Sequence, residues 1–195
     1  MHYGRGVADE DDDVQARWRT FGARGIFQSP ELWFGQVDVE LPGGERVWEP
    51  VARLHQSALI ALLDGEDRVL LVRRHRFVPG EWGWELPGGL VDDEEDPAAA
   101  AVRDLEDTTG YRPRRVDELI TFRPLPEMVD CEHVVFTGRD PERAGEPVEV
   151  SNVAAVEWIA LGSIPELIAA GEIWHGGTLV GLLRLLTTNG RAVSS

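Results

Sequence analysis

Between residues 85 and 111 the chain reads ELPGGLVDDEEDPAAAAVRDLEDTTGY, and no other stretch constrains the fold as tightly. A strand end runs into Pro87-Gly88-Gly89, an acidic loop follows, and Asp96 stands just before Pro97. Aspartate is a favoured N-cap, and proline at the first helical position has no amide hydrogen to leave unpaired. A helix is therefore expected through 98–109, ending at Gly110, which suits the left-handed residue after a helix. Val102, Leu105 and Thr109 recur at helical spacing and form the expected core face. Asp104, Asp107 and Thr108 stand at i, i+3 and i+4, so they are expected to project together from the opposite face. If the loop brings Glu94 and Glu95 near that face, it concentrates the oxygen ligands that Mg2+ or Mn2+ requires. A solvated acidic helix face satisfies the same spacing.

Strands dominate before the helix. Val37, Val39 and Leu41 alternate with Asp38 and Glu40, and Pro42-Gly43-Gly44 turns the chain into 46–51, which reads as a hairpin. A second hairpin is expected from 57–63 and 68–73 around the turn 64–67, with both arms apolar enough for buried strands. After the helix come expected strands at 119–123, 133–137 and 153–158. Ser163-Ile164-Pro165-Glu166 reads as a capping box opening a short helix that ends at Gly171. A last helix begins at Thr178, with Leu179, Leu182, Leu183 and Leu186 on its buried side. The expectation is one domain over 21–188, a tail over 1–20 with the acidic run 9–13, and a short tail over 189–195.

The acidic segment resembles the Nudix box, Gly-x5-Glu-x7-Arg-Glu-U-x-Glu-Glu-x-Gly-U, where U is a bulky apolar residue; Gly89, Glu95, Arg103, Leu105, Gly110 and Tyr111 match it. The resemblance implies the α/β Nudix fold, a mixed β-sheet sandwiched between helices, with an N-terminal β-hairpin region. It implies hydrolysis of a nucleoside diphosphate linked to another moiety, with Mg2+ or Mn2+ neutralising the diphosphate and activating water. The implied catalytic residues are Glu95, Arg103, Asp104 and Asp107, and the implied metal ligands are Glu95, Asp104, Asp107 and the Gly88 carbonyl. Asp104, Asp107 and Thr108 depart from the pattern, each standing where the box has Glu. Two of these changes shorten an acid and the third removes a charge, so metal binding is expected to be weakened. Glu106 is expected on the surface, paired with Arg103.

Further segments resemble the ADP-ribose pyrophosphatase branch of that family. Trp48, Glu49 and Arg53 stand where those proteins bind the base; a large π face and a stacking cation suit a purine, and a strand Trp packed on the core fits equally. Arg76 stands where an Arg holds substrate phosphate, and Glu85 belongs to the stretch before the box; surface ion pairs are the alternative for the cluster Arg73, Arg74 and Arg76. Gly88 in place of the family's Ala reads as a minor change. Glu127, Asp130 and Glu132 fall in a loop that approaches the terminal ribose. Asn152 stands near a position where relatives carry a glutamate base, and Glu149 is the nearby acid that could replace it. The branch also implies a homodimer with exchanged N-terminal strands, each Trp48 serving the partner's site.

Composition excludes other classes. The net charge is −16 and every one of the 19 basic residues is Arg, which argues against a nucleic acid polymer or an anionic membrane as partner. No apolar run approaches the ~20 residues needed to span a bilayer, no secretory pattern is found, and Cys131 is the single cysteine. A cytoplasmic location follows as the expectation. Two functions stay open: a metal-dependent hydrolase, of low activity if the altered box limits it, or a Nudix domain that binds nucleotide or protein without turnover.

Overall fold

The computed structural model describes residues 17–148 and 151–192, so the acidic run 9–13 and Glu149 lie outside the described residues. The first strands are β1 (Arg19–Gln28), β2 (Leu32–Glu40), β3 (Arg46–Leu54), β4 (Ser57–Leu62) and β5 (Arg68–Arg76). Next come β6 (Glu81–Glu85), β7 (Gly88–Leu90), helix α1 (Pro97–Thr109), β8 (Tyr111–Phe122) and β9 (Val129–Asp130). The chain continues through β10 (His133–Arg143), β11 (Val153–Ala160), a 3-10 turn (Leu161–Ser163), α2 (Ile164–Ala169) and α3 (Gly176–Ala192). Two compact units result, one running to Leu54 with Leu125–Asp130 added, the other comprising His55–Pro124 and the chain from Cys131 onward.

In the first unit the strands are ordered β1-β2-β3-β9. The expected hairpin is β2 with β3, in the register Val37↔Glu49 and Asp38↔Trp48. β1 begins at Arg19 and pairs with β2, so ordered structure starts inside the stretch expected as a tail. Because strand side chains alternate, Trp33, Val37, Glu49 and Arg53 share one face while Phe34, Asp38 and Trp48 share the other. Two residues of β9 run parallel to β3 at its edge, opposite Ala52 and Arg53.

The second unit holds two sheets, β7-β4-β10-β8 and β11-β5-β6. The expected hairpin of 57–63 with 68–73 does not form: β4 and β5 lie in different sheets, joined by one isolated bridge, Leu63↔Val69. The turn itself is as read, with Asp64 Oδ1 accepting the backbone N–H groups of Glu66 and Arg68. Both arms are buried on both faces, from Ala58 to Leu62 and from Val69 to Val72, and each takes its pairing partners elsewhere. Turn chemistry identifies a reversal but cannot say which strands the arms will pair with.

β4 shows why the layers form. Ala58, Ile60 and Leu62 pack with Ala101 and Leu105 of α1, whereas Leu59, Ala61 and Leu63 pack with Ile164 of α2 and with Leu182 and Leu185 of α3. Its period-two alternation thus feeds helices on both sides, each buried aliphatic being worth roughly 1.5–3 kcal/mol. On α3 the buried stripe contains Leu185 rather than Leu183, which is half exposed. The capping box before α2 is also absent. Ser163 ends the 3-10 turn with φ −88° and ψ −12° and makes no side-chain cap, because helical backbone there turns its hydroxyl away from the amides that follow. α1 is as read from sequence, with Asp96 Oδ2 accepting the Ala99 N–H and Gly110 closing it at φ 71°.

Two packing details fix the edges of the candidate site. Gly88 of β7 has φ 153°, and a Cβ there would lie 2.3 Å from the Ala58 carbonyl oxygen of β4. The change from the family's Ala is therefore not minor in this chain. At the start of α3, the His175 Nδ1 accepts the Thr178 N–H, and the fully buried Thr178 hydroxyl accepts the Leu86 N–H. With its own hydrogen the Thr178 hydroxyl also bonds Nδ1, which makes Nδ1 an acceptor and places the ring hydrogen on Nε2.

Replacing Gly88 with Ala is expected to cost about 2–4 kcal/mol through overpacking and a forbidden backbone angle; urea unfolding checks it, and a loss below about 1 kcal/mol rejects this account. Burial holds the His175 and His133 pKa values below the ordinary 6.5. Both rings take up protons less readily in the folded chain than in the unfolded chain, which protonates as pH falls through 6.5. Stability is thus expected to be full above that pH and to decline from pH 6.5 toward 5.5. His175→Asn, which keeps a capping acceptor without the titration, is expected to flatten the decline in thermal melts.

Candidate active site

The acidic loop and α1 are tied together by Arg103. Its Nη1 donates to Glu95 Oε2 at 2.5 Å and to Asp92 Oδ2 at 3.2 Å, Nε donates to Asp104 Oδ1 at 3.2 Å, and Nη2 reaches the Leu90 carbonyl at 3.3 Å. Desolvation pulls the Arg103 pKa down, but Asp104 and Glu95 outweigh it and hold it above its ordinary value. The Glu95 carboxylate also accepts the Asp92 N–H, closing the loop on itself. Asp104 lies against Gly89, where a Cβ would come within 2.3 Å of Oδ2. A side chain at 89 would push that carboxylate off the end of β7.

The other acids of α1 do not join it. Asp107 lines a groove between α1 and β8 together with Val102, Glu106 and Arg112. Glu106 is paired with Arg112 at 2.5 Å, correcting the expected pairing with Arg103. Thr108 is corrected as well. It was expected on the acidic face, but it is only 1% exposed and belongs to the inner side of the helix, with Ala101, Leu105 and Thr109. Spacing explains this, because Thr108 is i+3 from Leu105 as well as i+4 from Asp104. Its hydroxyl accepts from Arg74 Nη2 at 3.2 Å, and Arg74 is itself buried on β5.

These positions decide how far the donors suit a divalent metal. Of the expected ligands, Glu95 is engaged by Arg103, Asp107 lines the α1–β8 groove that Arg103 also borders, and Asp104 stands by Gly89 next to the Gly88 backbone. Among the described residues no group of three or more His, Cys, Asp or Glu side chains is placed to hold a metal ion. A hard dication needs several converging oxygens, so these described side chains do not fit a carboxylate-caged metal.

Arg76 is positioned by a buried carboxylate. Nε and Nη2 fork onto Glu85 at 3.0 and 2.6 Å, and Glu85 is 1% exposed while Arg76 keeps a third of its surface in solvent. The fork leaves Nη1 for an anion. Glu85 is thus the Arg76 holder rather than a group presented to solvent. Arg73 pairs with Glu172 at 3.7 Å, and the His75 ring lies 5.2 Å from that of Trp82. The partly buried His175, near enough to Glu85, Arg76, His133 and Arg74 to feel their charges, completes this polar cluster. Sequence reading took Arg74 only as one of an Arg cluster and Thr178 only as a helix start, and gave His175 no role. The Asp-free start of α3 and the i, i+3 spacing of His175 and Thr178 were the only local signals.

In the first unit Trp48 and Arg53 project from opposite faces of β3, since five residues apart on a strand is an odd separation, which accords with Trp48 serving a partner's site rather than its own. The Arg53 guanidinium lies 4.7 Å from the Trp33 ring and 3.9 Å from Asp130, while the Trp48 ring carries Arg24 at 4.4 Å. Glu49, Arg53 and Glu127 line a cavity of about 440 Å3 whose apolar wall includes Val37, Val39 and Trp18.

Comparison with known proteins adds what geometry alone lacks. Residues 53–179 match the NUDIX domain family. The chain is 42% identical to CMP-5'-(N-acetyl-N-hydroxy-3-aminopropyl)phosphonate hydrolase of Streptomyces rubellomurinus, over 89% of this chain and 84% of that protein. It is 23% identical to ADP-ribose pyrophosphatase of Bacillus subtilis, over 82% of this chain and 88% of that one. A solved structure of an ADP compounds hydrolase superposes with a TM-score of 0.76 at 16% identity, covering 90% of this chain and 96% of the other, a likeness of fold. The mixed α/β layers, the glycine-bounded loop clamped to its helix and these similarities converge, and the chain belongs to the NUDIX domain family of hydrolases.

Proposed function

We propose that this hydrolase cleaves the anhydride joining a nucleoside monophosphate to a second phosphoryl or phosphonyl group. A nucleoside diphosphate derivative such as ADP-ribose or a nucleotide sugar, or a CMP-linked phosphonate, meets that description. Water adds to one phosphorus and the bridging oxygen leaves with the other, giving a nucleoside monophosphate and a phosphate or phosphonate. The observation that carries the reading is the Arg103 clamp, which holds Glu95 and Asp104 on one guanidinium with Asp104 against Gly89 in the box frame. Similarity to the CMP-phosphonate hydrolase over most of both chains supports the substrate class.

In this reading the Arg76 Nη1 edge binds the phosphoryl oxygens. Asp104 and Glu95, with Arg103 positioning them, handle the attacking water and its proton; Glu149 is the further candidate base. The cavity bordered by Glu49, Arg53 and Glu127 takes the base, and Trp48 serves a base only across a homodimer. Exposed Phe21, Ile26 and Phe27 of β1, with Trp18 just before it, support such a dimer, whose mass sedimentation would check. Nudix hydrolases generally use divalent metals such as Mg2+; here Mg2+ or Mn2+ binding is weak, because Asp104, Asp107 and Thr108 replace longer acids. No described helix is long and apolar enough to cross a membrane, and a cytoplasmic enzyme acting on small molecules rather than nucleic acid polymers is proposed.

Purified protein should be tested with CMP-linked phosphonate, ADP-ribose and nucleotide sugars, with Mg2+ and Mn2+, and products separated by ion-exchange chromatography. Release of a nucleoside monophosphate is expected, and Asp104→Asn should lower kcat by about 100-fold or more. Arg76→Lys, which keeps the charge but loses the planar fork, should raise KM about tenfold and change kcat less. Nucleotide binding with no turnover of any substrate would instead make the chain a binding module.

A further inference from the structure

Thr108 and Arg74 form a contact that the box pattern does not contain. Thr108 stands one helical turn beyond Asp104, where the box has an acid, and both it and Arg74 are more than nine-tenths buried. A guanidinium cannot discharge in a protein, so the Arg74 charge is permanent. Relative to the glutamate that the box has at 108, the threonine removes one negative charge, and the Arg74 guanidinium lies against it. A cation seated on the ligand position opposes any dication brought there, and a threonine hydroxyl offers it one neutral oxygen in place of a carboxylate. Among the described residues no group of three or more acidic, His or Cys side chains is placed to hold a metal ion, and Thr108 withholds one of the carboxylates that would.

We propose that Arg74 replaces metal charge at this end of α1: its guanidinium, seated on Thr108, closes the helix position to a divalent ion and provides the positive charge there itself. Arg74 thereby acts as a positioning residue that offsets the Asp104 end of the helix rather than as a group that touches substrate. The proposal rests on the hydrolase reading only for its catalytic consequence, since metal binding can be measured without substrate.

The test is Mn2+ binding to the full chain followed by electron paramagnetic resonance, with no nucleotide present. The native protein should bind Mn2+ no more tightly than the millimolar range. Thr108→Glu alone should gain less than threefold, because the new carboxylate pairs with Arg74. Arg74→Gln alone should gain similarly little, because no acid has been added. Both together should tighten binding by at least tenfold beyond the sum of the single effects, and Arg74→Lys with Thr108→Glu should not. Micromolar Mn2+ binding by the native chain overturns the proposal, and so does full gain from Thr108→Glu alone. If the double variant does not fold by circular dichroism, the native titration and the lysine variant still decide. Failure of the hydrolase reading would show separately, as absent turnover with the Mn2+ pattern intact.

Discussion

Residues 92–96 are five consecutive acids, and they leave β7 with no ladder of their own, so their mutual repulsion has to be offset by a cation from the helix. Arg103 provides it by spreading one guanidinium over Asp92, Glu95, Asp104 and the Leu90 carbonyl. A planar group with donors on three nitrogens can hold four acceptors at once, which a lysine cannot. The loop is then determined well enough to keep Glu94 at φ 64°, an unfavourable angle for a residue with a side chain. Single ion pairs at this exposure are worth little, about 0.2–1 kcal/mol each; what the clamp supplies is geometry, because it sets where Asp104 stands relative to Gly89.

How much of this could be read from sequence depends on whether the cause is local. The helix from Asp96 to Gly110 was fully legible, since its cap, its first proline and its terminal glycine act within a turn of themselves. The β2–β3 hairpin was legible for the same reason. The β4–β5 pairing was not, because two strands buried on both faces carry no alternation to show which neighbours they choose. The faces of Trp48 and Arg53 could have been read from their odd separation, but resemblance to a binding motif obscured the parity. Thr108 was ambiguous at the level of helical spacing, and only its burial beside Arg74, a residue 34 positions away, settles which face it joins.

The candidate site shows the same division. Positions that shape backbone are held by sterics: Gly88 by the Ala58 carbonyl, Gly89 by Asp104, Gly110 by the Gly145 carbonyl. Such constraints do not depend on what the site binds, so the box frame is preserved and recognisable. Positions that present charge are held only by chemistry, and at 104, 107 and 108 the side chains differ from the box while α1 keeps its Asp96 cap and its Gly110 terminus. A family pattern can therefore locate a site with confidence in its frame while leaving its ligand set to be determined from side-chain geometry.

That separation bears on how charge is arranged around a phosphoanhydride. Such a substrate carries its negative oxygens close together, and any site for it must bring positive charge near them before water can attack. Dications on carboxylates do so with mobile charge that depends on metal supply and on the acids remaining ionised. Guanidiniums carry charge built into the fold, and here Glu85 fixes Arg76 while Thr108 abuts Arg74. The fixed arrangement is less adaptable, since each guanidinium needs its own buried partner, and removing Arg76 would leave Glu85 as an unpaired buried carboxylate at a cost of about 3–5 kcal/mol. Under the proposed role of Arg76 at the phosphoryl oxygens, stability and phosphate binding would be coupled through the same residue.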